Sequence, residues 1–177
     1  MKKPTIEDLV KRLNLKPLWS NDYLIEFYRS DLVLQRKIIG QSFDGDRPLF
    51  NWAYYLIPEN VLCPFHLHLS DESWQYCMGG PLELFIIHPK DGRLEKVLIG
   101  QDILKGQKFI HIVQKDVWFA AKTKKNAGYT LITHIVSPAF FPQDKVKGHY
   151  DELIKKFPQH KDLIKEFAWP RDWKESL

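Results

Sequence analysis

Two histidines one residue apart, His66 and His68, stand in the run Pro64-Phe65-His66-Leu67-His68-Leu69-Ser70-Asp71-Glu72. Side chains alternate along an extended chain, so in a strand the two imidazoles share a face. Glu72 follows His68 by four residues, across a Ser70-Asp71 turn, and six further residues lead to Gly79. A carboxylate at that offset folds back from the next strand toward the histidine face. The spacing His-X-His-X3-Glu-X6-Gly is therefore that of a divalent metal site inside a β-barrel. Imidazole suits zinc, iron, copper and nickel, and one carboxylate oxygen completes a three-ligand set of His66, His68 and Glu72. Without a metal the same group does acid-base work, because a histidine beside a buried carboxylate has its pKa raised toward the working pH.

The elements that must position these residues can be read along the chain. Thr5 is placed to cap a short first helix, with Ile6, Leu9, Val10 and Leu13 at helical spacing. From residue 23 the pattern changes to short extended runs: 23–29, 49–57, 64–69, 73–77, 82–88, 94–99, 109–113, 118–122 and 129–136. Turn signals separate them, among them Asp44-Gly45-Asp46, Gly79-Gly80-Pro81, Asp91-Gly92 and Asn126-Ala127-Gly128. Strands this short, with no helices between them, predict an all-β antiparallel jelly-roll barrel. Two apolar stripes near the end, Tyr150 to Phe157 and Leu163 to Phe167, predict helices broken by Pro158. The Trp169-Pro170 and Trp173 segment is expected to form a lid over the barrel or part of a subunit interface.

Composition bounds the function classes. The chain has 177 residues, 44% of them hydrophobic, which predicts one domain over residues 1–177 with a real core. The net charge of +4 is spread along the chain and makes no basic stripe, so nucleic acid is excluded as a partner. No run approaches the length of a membrane helix and no signal-like apolar stretch follows Met1, so the expected location is the cytoplasm, away from membranes. In such a compartment Cys63 and Cys77 are expected as free thiols.

The histidine spacing is that of the first cupin motif, with Asn60 at the position where that motif begins with glycine. Tyr28-Arg29-Ser30, Tyr55-Leu56-Ile57-Pro58, Phe65-His66, Ser70-Asp71-Glu72, Trp74, Gly79, Pro81-Leu82-Glu83-Leu84, His88-Pro89 and Asp91-Gly92-Arg93-Leu94-Glu95 follow in order. Gly100, Gly106-Gln107, Val117-Trp118, Ala120-Ala121, Gly128-Tyr129 and Val136-Ser137-Pro138 complete the series. In this order the chain resembles the Cupin_5 (DUF985) family across roughly residues 5–158, leaving 159–177 as a C-terminal helical extension.

The resemblance implies a double-stranded β-helix, a homodimer, and a small polar or carbohydrate-like metabolite as ligand. Cupin-fold epimerases similar to this family use a histidine oriented by a carboxylate as base and a tyrosine as acid. Carried over, this makes His66 and Glu72 (or Asp71) one half of the machinery and Tyr55 or Tyr76 the other. Arg29, Tyr28, Trp74, Gln75 and Phe119 are the expected ligand contacts. Trp52, Trp74 and Trp118 offer a stacking wall or core aromatics.

The chain departs from the pattern in four places. Leu67 replaces an arginine, His68 is an addition, Gln75 stands where the family has a second histidine, and Phe119 occupies the usual position of the second-motif ligand. His111 and His134 are alternative ligands from later strands. Two readings stay open: an epimerase- or isomerase-like enzyme, and a non-catalytic ligand-binding cupin with a degenerate metal site.

Overall fold

The structure, a computed structural model, describes residues 3–18 and 20–171. Helix α1 (Ile6–Leu13) begins at Thr5, whose hydroxyl accepts from the Asp8 amide while the Asp8 carboxylate accepts from the Thr5 amide. This reciprocal capping satisfies two helix-end donors. The chain then enters β1 (Lys16–Pro17), β2 (Tyr23–Arg29), β3 (Val33–Leu34), the single turn α2 (Arg36–Ile39) and β4 (Arg47–Pro48). The barrel strands follow: β5 (Asn51–Pro58), β6 (Leu62–His68), β7 (Asp71–Gly79), β8 (Leu82–Ile87), β9 (Leu94–Ile99), β10 (Ile110–Val113), β11 (Trp118–Thr123) and β12 (Tyr129–Ser137). Last come β13 (Lys145–Lys147), α3 (Tyr150–Lys156) and α4 (Lys161–Phe167).

Two antiparallel sheets face each other. One runs β1-β2-β5-β12-β7-β10 and the other β13-β6-β11-β8-β9. Between them lie the inward side chains of alternate positions, including Tyr55, Ile57, Trp74, Leu84, Ile86, Phe119 and Ile132. The outer face of the second sheet carries Phe65, Phe85, Ile87 and Trp118, which α3 and α4 cover with Leu153, Phe157, Ile164 and Phe167. Phe65 and Phe167 are both fully buried there. Each such side chain contributes about 1.5–3 kcal/mol by leaving water, which is why the helices stay docked. Helix α1 covers Leu56 and Leu131 on the outer face of the first sheet.

This is the antiparallel jelly roll expected from the strand spacing, in the double-stranded β-helix form that the family resemblance implies. The short elements β1, β3, β4, β13 and α2 carry too few residues to leave a periodic pattern and are additions to it. At the end of β7, Gly79 has φ +96°, and a Cβ there would lie 2.3 Å from the Tyr129 carbonyl oxygen. Only glycine fits that turn. Both cysteines are free, Cys63 buried and Cys77 exposed. No helix among the described residues is long and apolar enough to cross a membrane.

Candidate functional site

The site lies between the sheets, in a cavity of about 240 Å³ whose wall includes His66, His68, Glu72, His134, Tyr55 and Trp74. Local irregularity in β6 decides how the histidines face it. Phe119 pairs with His66 but Ala121 pairs with Cys63, so β6 holds one extra residue between them. The bulge falls at Pro64, a residue with no amide to lose from a ladder. It allows Cys63, His66 and His68 all to reach the cavity while Phe65 turns out to the helices.

The bulge also fixes a tautomer. His66 Nδ1 lies 2.7 Å from the Pro64 carbonyl oxygen. A carbonyl only accepts, so the proton sits on Nδ1 and the lone pair on Nε2. Burial, and then the nearby His68 and Lys145 charges, hold the His66 pKa well below the ordinary imidazole value. It is neutral at physiological pH.

Glu72, 2% exposed, is the hub. Its Oε1 is bonded to His134 Nδ1. His68 turns Nδ1 to 3.1 Å from Oε2, close enough for a strong electrostatic contact though poorly aligned for a hydrogen bond. Burial pushes the Glu72 carboxyl up, but the His134 charge, the hydrogen bond from His134 and the close contact with His68 outweigh it and hold its pKa below the usual carboxylate range. The carboxylate is ionised and keeps both imidazoles oriented by their Nδ1 atoms. Phe119 closes the arrangement from below, its ring 4.1 Å from that of His66 and 5.4 Å from that of His68.

The donor set does not fit a metal ion. Both Glu72 oxygens face imidazole Nδ1 atoms, and the second-motif position is the phenyl ring of Phe119. Among the described residues no group of three or more His, Cys, Asp or Glu is arranged to hold one. His66, His68 and Glu72, expected as a ligand set, converge on one cavity with the carboxylate turned to its histidines.

The tyrosines are engaged. Tyr55 donates its hydroxyl proton to Asp22 Oδ2 at 2.5 Å and lies buried in the cavity wall. Burial, with the nearby Cys63 and Asp22 charges, raises its pKa well above the ordinary phenol value. Tyr76 donates to the Gly79 carbonyl oxygen at 2.8 Å and packs against the core below the cavity.

Among the expected ligand contacts, Trp74 is in the cavity wall. Gln75 is on the opposite face of β7, its amide donating to Ser73 Oγ. Tyr28 is 48% exposed and stacks on Phe50. Arg29 holds Glu26 through two contacts of 2.7 and 2.6 Å and donates to the Phe140 carbonyl. A register shift in β2 between Glu26 and Tyr28 breaks the alternation that would have carried Tyr28 inward. Trp52 is on the outer face beside Phe27, and Trp118 lies under the C-terminal helices. Trp169 reaches the cavity wall, while Trp173 lies outside the described residues.

His111 is elsewhere, 3.8 Å from Glu95 in a cluster that includes His88. The sequence offered His134 only as a spare ligand. Its role as Glu72's partner depends on β12 lying beside β7, for which no local signal exists.

The Cupin_5 profile, cupin superfamily (DUF985), matches residues 7–146. The chain belongs to the Cupin_5 family. Two solved structures share its whole architecture. A hypothetical protein from Leishmania major is 28% identical, with 94% of this chain and 100% of that one covered at a TM-score of 0.84. A protein from Shewanella oneidensis is 25% identical, with coverage of 96% and 100% and a TM-score of 0.81. An L-ribose isomerase from Cellulomonas parahominis is 11% identical, covering 71% of this chain and 68% of that one at a TM-score of 0.52, a likeness of fold alone. No curated protein matches this Cupin_5 chain.

Proposed function

We propose that this cupin binds a small polar, carbohydrate-like metabolite in the barrel and moves a proton on it, in the manner of an isomerase or epimerase. The observation that carries this reading is Glu72 held between His68 and His134. An ionised, buried carboxylate that takes the Nδ1 side of an imidazole leaves the Nε2 lone pair basic and directed by the ring plane. His68 is thus the candidate base, and neutral His66 beside it accepts a ligand hydroxyl or shares the proton. A carbon-bound proton next to a carbonyl is the group such a base removes and returns. A sugar isomerase on the same fold agrees at the level of architecture only.

The test is solvent exchange. Pentoses and hexoses, as aldoses and ketoses, are incubated with the protein in deuterated water, and loss of the proton next to the carbonyl is followed by NMR. The reading expects exchange that His68→Gln abolishes.

One observation favours the second reading, a ligand-binding cupin without catalysis. Tyr55 and Tyr76 both direct their protons to protein acceptors, so neither is poised as the acid. Saturable binding of sugars with no exchange in any of them would support it.

For assembly we propose a homodimer through sheet edges. Ile110 and Ile112, both about half exposed on the edge strand β10, form the surface such pairing would cover.

A further inference from the structure

We propose that a hydroxyl group of the ligand sits between the Trp74 indole N–H and His134 Nε2, and that this pair sets which carbon of the ligand faces His68. The proposal rests on the reading of the barrel as a metabolite site and names the group that the site recognises.

Trp74 on β7 and His134 on β12 stand directly opposite one another in the ladder, so both side chains leave the sheet on the cavity side. Their rings meet edge to face with centroids 6.2 Å apart, close enough for one ligand atom to touch both. Both are buried, Trp74 at 1% exposed and His134 at 9%. Neither the indole Nε1 nor His134 Nε2 has a hydrogen-bond partner among the described residues. Buried polar atoms are nearly always paired, because an unpaired one gives up its hydration without replacement. The neighbouring rings supply no partner. Tyr55 and Phe119 stand around Trp74 at centroid distances of 6.1 and 5.9 Å, but the Tyr55 hydroxyl is held by Asp22 and Phe119 carries no acceptor.

The chemistry of the two nitrogens selects the group. An indole N–H only donates, so the atom facing it must accept. His134 Nδ1 is bonded to Glu72, which leaves Nε2 as a lone pair in the neutral ring and as a second donor in the imidazolium. A hydroxyl serves in either state, since its oxygen accepts from the indole and either donates to the lone pair or accepts again from the imidazolium. An ammonium has no acceptor for the indole, and an ether or carbonyl has no proton for the neutral ring. The Glu72 carboxylate that takes His134 Nδ1 also lies 3.1 Å from His68 Nδ1, so one group positions both the hydroxyl bracket and the candidate base. The cavity of about 240 Å³, the share of roughly eight waters at ~30 Å³ each, leaves room for the rest of a small polyhydroxy molecule.

Calorimetric titration of wild-type and Trp74→Phe protein tests the assignment, with glucose, galactose and arabinose and the single-deoxy analogues of each as probes. Phenylalanine keeps an aromatic ring at this place and removes the N–H. One deoxy analogue should bind the wild type about tenfold or more weakly than its parent sugar, the scale of a buried hydrogen-bonding group left unpaired. Trp74→Phe should weaken the parent sugar by a similar factor and add no further loss for that analogue, because the two changes remove the same contact. A readout in the wild type needs no variant: the Trp74 indole N–H resonance should move downfield with the parent sugar and stay near its free position with that analogue. Loss of parent and analogue in equal proportion on Trp74→Phe, or an indole resonance that stays fixed while sugar binds, would leave the pair serving an ordered water only. Either result would overturn the hydroxyl bracket and leave the metabolite-site reading standing. Failure of every sugar to bind would overturn both.

Discussion

Glu72 on β7 and His134 on β12 bond across two neighbouring strands while standing diagonally rather than directly opposite. His134 lies opposite Trp74, and Glu72 opposite Val136. Diagonal partners on one sheet face are within reach of long side chains, and here the diagonal places a carboxylate between imidazoles from two sheets. Removing the charge should expose the cost of that arrangement. Glu72→Gln is expected to lower stability by about 1–3 kcal/mol in denaturant titration, because the amide keeps one acceptor oxygen and turns an NH2 donor toward the other buried ring nitrogen. An unchanged midpoint would mean the histidines find other partners.

Stability should rise with pH across the acid range. His66 has a folded pKa below its ordinary value of about 6.5 and Glu72 one below about 4.5, so at low pH the unfolded chain binds more protons than the folded one. The His66 contribution is complete above pH ~6.5 and is lost as pH falls from there toward its folded pKa. The Glu72 contribution is complete above pH ~4.5 and is lost below it. His111, also lowered by burial, acts with the same sign as His66. Comparing His66→Gln with wild type isolates the His66 share, and the variant should lose less stability between pH 7 and pH 5. Parallel curves would remove His66 as a buried neutral group.

Chelation should leave the fold alone. The carboxylate needed for a three-ligand site is turned to His68 and His134, so added zinc, nickel or iron should bind weakly and below stoichiometry. Dialysis against a chelator should not change the melting midpoint. A fall of more than a few degrees, restored by one of these metals, would contradict the geometry.

The Gly79 turn gives a backbone test. A Cβ at that residue meets the Tyr129 carbonyl and the φ is positive, so Gly79→Ala should destabilise by more than about 1 kcal/mol. A neutral substitution would show that the β7–β8 turn can re-form.

Much of the fold was legible because a two-residue period leaves a record in every strand long enough to show it. His66, His68 and Glu72 could be placed together because all three lie within one hairpin, where the spacing alone sets the geometry. What spans the chain was not legible. His134 stands 62 residues from Glu72, and their meeting depends on which strands pair. Lys145 sits on a three-residue strand with no periodic signal. Tyr28 is turned from the cavity side by the irregularity in β2, because one extra residue reverses the side on which later side chains fall. The C-terminal stripes were readable as helices, yet only their docking brings Trp169 to the cavity wall.

The central claim is that Glu72 and the Pro64 carbonyl hold His68 and His66 by Nδ1 and leave their Nε2 atoms for the cavity. Long-range proton–nitrogen NMR of the histidine rings, taken with and without a sugar or sugar acid, measures this directly. The account predicts a neutral ring protonated on Nδ1 for His66 near pH 7 and an Nδ1 proton facing Glu72 on His68, with both Nε2 resonances moving as ligand is added. An Nδ1 without a proton in either ring, or Nε2 resonances that stay fixed at saturating ligand, would contradict it.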